Sequence, residues 1–531
     1  MIEHGKKYKV PKFILLLIEN ERGLFGIYII VITYLLFNTG IASDEFTSVS
    51  NENKYVNFTE SLIHGKKWES KPFSRYIISI YYYFIELNKY YLIDYLKIIL
   101  NVSLFYMTTK FFSLYLRVSS SMLVSFLFIF FPTHDSTTYW YLASYLSISI
   151  GFYLYGYYLV SNRKYILAGV FAILASFTSY GSPPVAISLF ILCILQKEYK
   201  GGAYLIIPNI IYSIYYIIIT KVYDLGLQRL PIEINPLALI KQYALQVITF
   251  GDAIIGVSFI LKLYYSILEN TIISFLVALL FTIVLIILLQ KRSNLEKKKE
   301  CVDRKLLIVL ITLIFFSFSL FAATGYFPQL SFNLGNRTTI YGSLLFSYLL
   351  VATPIPDKIK SLLIFVIIFS IFGISDHWKK FNIHQKSIIN NIQMNPELAS
   401  FKNGQKIYIT GNRYSKMGPF SNIEFLSENW VVGSIFKLAL KKNINVKVLD
   451  KYHKWENGIL TNTKYNTSHR TGNFILLYDS VSDKLEKLHS QEINNYIRQL
   501  PNNKRHWIQM INNKNINELI LILMPRLKYI I

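Results

Sequence analysis

Apolar runs of nearly twenty residues recur along this chain, and nothing else in it constrains the fold as strongly. They lie near 24–42, 93–116, 141–160, 165–180, 202–220, 271–290, 304–324 and 357–375, with shorter ones near 119–132, 183–196 and 338–353. A helix that crosses a bilayer needs about 20 mostly apolar residues, because its backbone N–H and C=O groups must pair internally once water is gone. The pattern predicts about eleven crossings. Composition agrees: 53% of the 531 residues are hydrophobic and only 16% are charged, against about 25% charged in a soluble domain.

The charges between the runs test that count. Lys and Arg gather on the cytoplasmic side of membrane proteins. Here they gather at Lys6, Lys7, Lys9 and Lys12, at Arg163-Lys164, at Lys197 and Lys200, from Lys291 to Lys305, and at Lys358 with Lys360. With eleven crossings all these sites fall on one side, expected to be cytoplasmic. Asp44-Glu45, His134-Asp135, Tyr180-Gly181 and Arg337 then fall on the other. The formal net charge of +24 points, in such a chain, to anionic headgroups and lipid-linked phosphates as partners, not to nucleic acid. Two cysteines, Cys193 and Cys301, do not make a disulfide or metal framework. No cleavable signal peptide is expected, since the basic N-terminus leads into the first run without a small-residue cleavage site.

Three regions stand outside the apolar runs. Residues 43–92 form a long loop with a tyrosine-rich stretch, Ile80-Tyr81-Tyr82-Tyr83. Residues 221–269 carry Lys241, Gln242, Gln246, Asp252 and Lys262 among apolar residues, a mixture that fits one or two interfacial helices or a re-entrant hairpin. From about 377 the chain is polar, with short apolar runs at 406–409, 446–449 and 474–478 and helical stretches between them, for example 422–440. Strands alternating with helices predict a small α/β domain. The expected fold is therefore an α-helical polytopic membrane domain over 1–376 and an α/β domain on the external face over 377–531.

Chemistry gathers in the loops of the expected external side. Asp44-Glu45 follows the first run. Paired carboxylates either bind a divalent cation or push one pKa up so that the group acts as a base; they also simply mark the wet start of a loop. His134-Asp135 enters the second such loop, followed by Tyr139-Trp140, whose rings are suited to stack on a sugar. An interfacial aromatic belt with a helix-capping Asp has the same pattern. Arg75 and Arg337 supply guanidinium forks for a phosphate, or for anionic lipid headgroups. His64 and His377 have no partner at metal-ligand spacing, and there is no phosphate-binding Gly loop or nucleophile elbow.

Taken together, Asp44-Glu45 after the first run, Pro72–Arg75 in the loop that follows, His134-Asp135 in the next external loop, Arg337, and a C-terminal external domain make the chain resemble the GT-C superfamily of integral-membrane glycosyltransferases. That group includes protein O-mannosyltransferases, the aminoarabinose transferases of lipid A, and bacterial transferases that decorate surface polysaccharides. The turn Ser179-Tyr180-Gly181 lacks an acid that many members carry there. The resemblance implies a sugar donor on a polyprenyl phosphate, a glycan, lipid or protein acceptor, and inversion at the anomeric carbon. It implies Asp44 as base, Glu45 and Asp135 positioning it or holding a divalent cation, and Arg75, His134, Tyr139, Trp140 and Arg337 binding substrate. An O-antigen polymerase, or a transporter or flippase for a lipid-linked sugar, is the alternative. Abundant Ile, Asn, Lys and Tyr fit a bacterium, with the chain in the plasma membrane, its N-terminus cytoplasmic and its C-terminus external.

Overall fold

The structure, a computed structural model, describes residues 21–50, 72–73, 92–222, 235–295, 301–324, 328–463, 466–500 and 514–523. Arg75, His64, the tyrosines at 81–83, the N-terminal lysines and Lys297 to Lys299 lie outside these residues.

Each apolar run folds as a helix. In chain order these are Glu21–Leu36, Ile93–Phe112, Val118–Ile129, Ser144–Ser161, Tyr165–Thr178, Pro183–Leu195, Tyr199–Val222, Ile272–Leu295, Arg304–Ala323, Ile340–Ala352 and Asp357–Met394. Among the described residues, four segments are long and apolar enough to cross a membrane by length and composition: Tyr199–Ile218, Pro236–Leu268, Arg304–Ala323 and Asp357–Met394. The helices bury one stripe and leave an apolar one outside. In the first helix Leu24, Tyr28, Ile32 and Leu35 are buried at helical spacing, while Ile30 on the opposite side is 70% exposed. Ile207, Ile211 and Ile214, Leu276, Leu280 and Ile283, and Ile308, Ile311 and Phe315 repeat this on three other helices. An exposed apolar surface of that extent needs a nonpolar solvent, and lipid supplies it.

The two ends of the bundle differ. At one end Lys305 Nζ donates to Leu195 O at 2.9 Å, the Asp303 amide to Tyr348 at 2.8 Å, and Lys360 Nζ to Val351 O at 2.8 Å. Asp303 also caps the helix Arg304–Ala323 by accepting from the Leu306 amide. The expected cytoplasmic basic loops that are described therefore sit together. At the other end lie the turn 37–43, the segment 131–143, the segment 328–339 and the start of the polar half of Asp357–Met394.

The segment 236–268 lies across that second end. It forms two helices, Pro236–Ile254 and Val257–Leu268, broken at Ile255-Gly256. Long and apolar enough to span, it meets residues of that end at two places: Gln329 Nε2 donates to Gln246 Oε1, midway along the first helix, at 2.9 Å, and Thr271, just past the second, donates to Asp376 at 2.7 Å. The second helix presses so closely on Asp357–Met394 that a Cβ on Gly373 would stand 1.7 Å from Ser266 O.

Asp357–Met394 runs unbroken for 38 residues through the domain boundary expected at 376/377. Its first half is apolar; its second half, from His377, carries the chain to the α/β unit. There β1 (Lys406–Thr410) pairs in parallel with β4 (Asn445–Val448) and β8 (Phe474–Asp479), and β9 (Lys484–His489) adds antiparallel, giving the order β4-β1-β8-β9. Alternation sorts the strands by face. Ile407, Ile409, Val446, Val448 and Tyr478 join Val431, Ile435 and Phe436 of the helix Asn429–Leu440, in one core continuous with the bundle. Tyr408, Ile475 and Leu477 face the opposite way, against Leu460, Ile493 and Ile497. Leu460 lies on β6 (Ile459–Asn462), the middle strand of a three-stranded sheet with β5 (His453–Glu456) and β7 (Thr467–Arg470); Ile493 and Ile497 lie on the helix Ser490–Gln499. The helical stretch expected over 422–440 is corrected: 420–424 is strand β3, paired with β2 (Tyr414–Met417) in a hairpin, and the helix begins at Asn429. Docking of that hairpin on the bundle overrides local helix preference.

Candidate functional site

Asp44 does not follow its helix directly. The first helix stops at Leu36, and Asn38 and Gly40, both with φ of 66°, turn the chain across the end of the bundle. A Cβ on Gly40 would meet Asn382 Oδ1 at 2.0 Å, and Asn382 Nδ2 donates to Asn38 O at 3.0 Å, so the polar half of the long helix locks the turn. From below, buried Asp94 accepts from the Gly40 amide at 3.0 Å and from Thr39 Oγ1 at 3.2 Å. Lys97 donates to Asp94 at 3.3 Å, to Thr39 at 3.1 Å and to Gly40 O.

Past the turn the two neighbouring acids part. Glu45 points inward and is fully buried: Oε2 accepts from the Ala42 amide at 2.6 Å and Oε1 from the Leu142 amide at 3.3 Å. Burial pushes its carboxyl up to about 7, against the pull of Lys97 and of those backbone amides. Asp44 stays half-buried at the rim, where its Oδ1 accepts from Trp430 Nε1 at 2.7 Å. Trp430 belongs to the helix Asn429–Leu440 of the α/β unit and is 55% exposed. Phe46 meets Phe425 just behind, ring centroids 5.6 Å apart.

Asp135 has the opposite surroundings. Buried, it accepts from Trp378 Nε1 at 2.9 Å and from Asn336 Nδ2, and pairs with Lys262 Nζ at 3.3 Å. Lys262, itself buried, reaches Asn422 Oδ1 of the β2–β3 hairpin at 3.1 Å and lies 5.0 Å from the ring centre of Phe332. Asn422 Oδ1 also accepts from the Asn333 amide at 3.1 Å, and Asn333 Nδ2 donates to Glu424 at 3.0 Å. Phe420 closes on Phe332 at 4.6 Å and on Tyr265 at 5.7 Å. The hairpin is thus set into the end of the bundle, and Asp135 joins three chain segments there, through Lys262, Asn336 and Trp378. Three donors converge on its two oxygens.

His134, Tyr139, Trp140 and Arg337 are brought together on neighbouring segments, with Ser136 Oγ donating to Asn336 Oδ1 at 2.5 Å and Thr339 Oγ1 to Thr133 O at 2.7 Å. Two of the four are interior residues. The ring nitrogens of His134 meet Thr137 Oγ1 at 2.7 Å and Phe128 O at 2.6 Å, and burial lowers its pKa to about 4, leaving it neutral. Tyr139 stacks on Trp378 at 5.5 Å and is buried. Both rings fill the space under the segment 131–143. Trp140 and Arg337 differ. The Arg337 guanidinium sits over the Trp140 ring at 5.5 Å, and the indole Nε1 of Trp140, only 7% exposed as a residue, has no hydrogen-bond partner among the described residues. Trp140 is two residues from Leu142, where Glu45 is bound, so this pair adjoins the Asp44 loop.

Sequence reasoning passed over Lys97, Asp94, Trp378, Asn422 and Trp430, and treated Lys262 as one polar residue among several. Asp94 and Lys97, polar residues three apart on an apolar helix, carried a local signal. The others are joined only by contacts between distant segments. Glu269 belongs with them: it pairs with Lys380 at 3.1 Å and lies 3.8 Å from His377, which holds its carboxyl well below the usual range together with Lys380. His377 in turn meets Ser415 of the hairpin at 2.8 Å. Among the described residues no group of three or more His, Cys, Asp or Glu is placed to hold a metal ion.

One end of the helical bundle therefore carries a buried polar layer, roofed by the α/β unit, with the Asp44 carboxylate and the exposed Trp430 indole at its edge. No protein-family model matches the chain, and comparison with curated proteins and with solved structures finds no match either.

Proposed function

We propose that the protein is a membrane glycosyltransferase that moves a sugar from a polyprenyl-phosphate donor to an acceptor hydroxyl, with inversion. In this reading the helices make eleven crossings in a GT-C-like arrangement, and the end bearing the α/β unit is external. One observation carries the proposal. Glu45, next to Asp44, binds the Leu142 amide two residues from Trp140, whose ring lies under the Arg337 guanidinium, so a base and an anion-binding pair stand on neighbouring segments.

The chemistry assigns the parts. The acceptor oxygen attacks the anomeric carbon, its proton passes to the Asp44 carboxylate, and the bond from that carbon to the phosphate oxygen breaks with its electron pair leaving on the phosphate. The indole N–H of Trp140 and the Arg337 guanidinium stabilise the charge that develops on the phosphate. Glu45 fixes the loop that carries Asp44, and Asp135 holds the layer beneath it.

Asp44→Asn in the full chain, assayed in membranes with a polyprenyl-phosphate sugar and cell-envelope acceptor, should lose transfer by about 10²–10⁴-fold, the range of general-base catalysis. Wild-type turnover in that variant at wild-type protein level sinks the assignment. A chelator should leave the wild type unchanged, because amide donors occupy Glu45 and cationic and amide donors occupy Asp135.

A further inference from the structure

Trp430 lies exposed beside a carboxylate that holds the edge of its ring. The helix that bears it packs on Asp44–Ser50 and on β4, with Val431, Val432, Ile435 and Phe436 buried, yet Trp430 is 55% exposed. Its indole is not loose. The edge is pinned by the bond from Nε1 to Asp44 Oδ1 at 2.7 Å, which orients a ring that remains more than half exposed. A fixed aromatic face beside a carboxylate is a chemistry suited to a pyranose: the C–H face of the sugar stacks on the ring, and the hydroxyls at its edge donate to the carboxylate. Phospholipid tails and peptide backbones lack that pairing of an apolar face with a ring of hydroxyl donors.

We propose that Trp430 and Asp44 form the acceptor subsite and that the acceptor is a glycan, its sugar ring stacked on Trp430 with one hydroxyl directed to Asp44. This rests on the glycosyltransferase reading and adds to it the class of acceptor and the part of the chain that selects it. The α/β unit then supplies one half of the subsite and the loop after the first helix supplies the other. The donor sits on the bundle side, at Trp140 and Arg337, so donor and acceptor approach Asp44 from different domains. Trp430 is here a binding residue and Asp44 the catalytic one.

Binding can be read without turnover. Full-length protein in detergent is titrated with a panel of methyl hexopyranosides and their disaccharides, observed by saturation-transfer difference NMR. Saturation of the sugar ring protons is expected for at least one panel member in the wild type. It should fall at least tenfold in Trp430→Ala and largely return in Trp430→Phe, which restores a stacking face. Cyclohexanol, apolar with a single hydroxyl, is the control and should show no dependence on Trp430. No saturation for any panel member, or equal saturation in wild type and Trp430→Ala, overturns the subsite. The transferase reading is judged separately: retained transfer in Asp44→Asn with Trp430-dependent sugar binding removes the reaction and keeps the subsite. Lost transfer in Asp44→Asn with no Trp430 dependence keeps the reaction and removes the subsite.

Discussion

Asp44 and Asp135 are both aspartates on loops at the same end of the bundle, and their surroundings could hardly differ more. Asp135 is buried, bound by Lys262, Asn336 and Trp378, and tied through Lys262 to the α/β unit. Asp44 is half-buried, held through one oxygen by an exposed tryptophan. A buried ion pair saturated with hydrogen bonds is architecture: its anion is fixed, and its removal strands a charge. A carboxylate at an edge keeps contact with solvent and with whatever docks there. Between them stands Glu45, buried like Asp135 but bound by uncharged amides.

The comparison breaks first at Asp135. Asp135→Ala leaves Lys262 buried without its counter-ion and should cost about 3–5 kcal/mol, enough to lose most folded protein from membranes. Asp135→Leu combined with Lys262→Met should recover a large part of the yield, since it removes both charges. A single variant that matches the wild type in yield and Tm would show that the pair is not structural.

Glu45 gives the next largest effect, and its sign is fixed. Its folded pKa, about 7, lies above the ordinary 4.5, so the folded state holds the proton more tightly than the unfolded one. The stability this adds is complete below about 4.5 and is lost as pH rises through about 7. Over that window the change is about 3 kcal/mol. Glu45→Gln keeps the size and lacks the titration, so the Tm of the wild type relative to this variant should fall between pH 5 and pH 8 or so. A constant difference would mean that Glu45 is solvated.

A smaller effect sharpens the roof. Asn422→Ala strands the Lys262 ammonium and the Asn333 amide on the bundle side and should cost about 1–3 kcal/mol, read as faster hydrogen exchange across 414–424. The smallest belongs to Asp44: Asn in its place keeps an acceptor for Trp430 and should shift stability by no more than about 0.5 kcal/mol. If Asp44→Asn unfolds the protein as Asp135→Ala does, the contrast between the two carboxylates is void.

How much of this could be read in the sequence follows from the range of each interaction. Apolar runs announce helices by themselves, and every such run proved helical. Lys406–Thr410, Asn445–Val448 and Phe474–Asp479 showed their alternation locally and are the parallel strands of the sheet. The expected loops do meet at one end. What the sequence hid is the partner of each polar side chain. Asp135 and Lys262 are 127 residues apart, and Trp430 and Asp44 are 386 apart; a single polar residue in an apolar helix has no period to betray whom it meets. The expectation of helix over 422–424 failed for the same reason, since its strand forms in a hairpin that is set into the bundle.

The bond between Lys262 and Asn422 also bears on how the molecule is made. Synthesis runs from the N-terminus, so the lysine is in place 160 residues before the asparagine that completes its shell exists. For that interval the end of the bundle has an ammonium group, the Asn333 amide and the ring of Phe332 waiting for a lid still on the ribosome. A nascent chain halted before residue 406 is therefore immature in a defined place, one that a membrane protease or chaperone can sense. Truncated chains ending there should turn over faster than full-length protein in pulse-chase, and equal half-lives would show that the bundle matures without its roof.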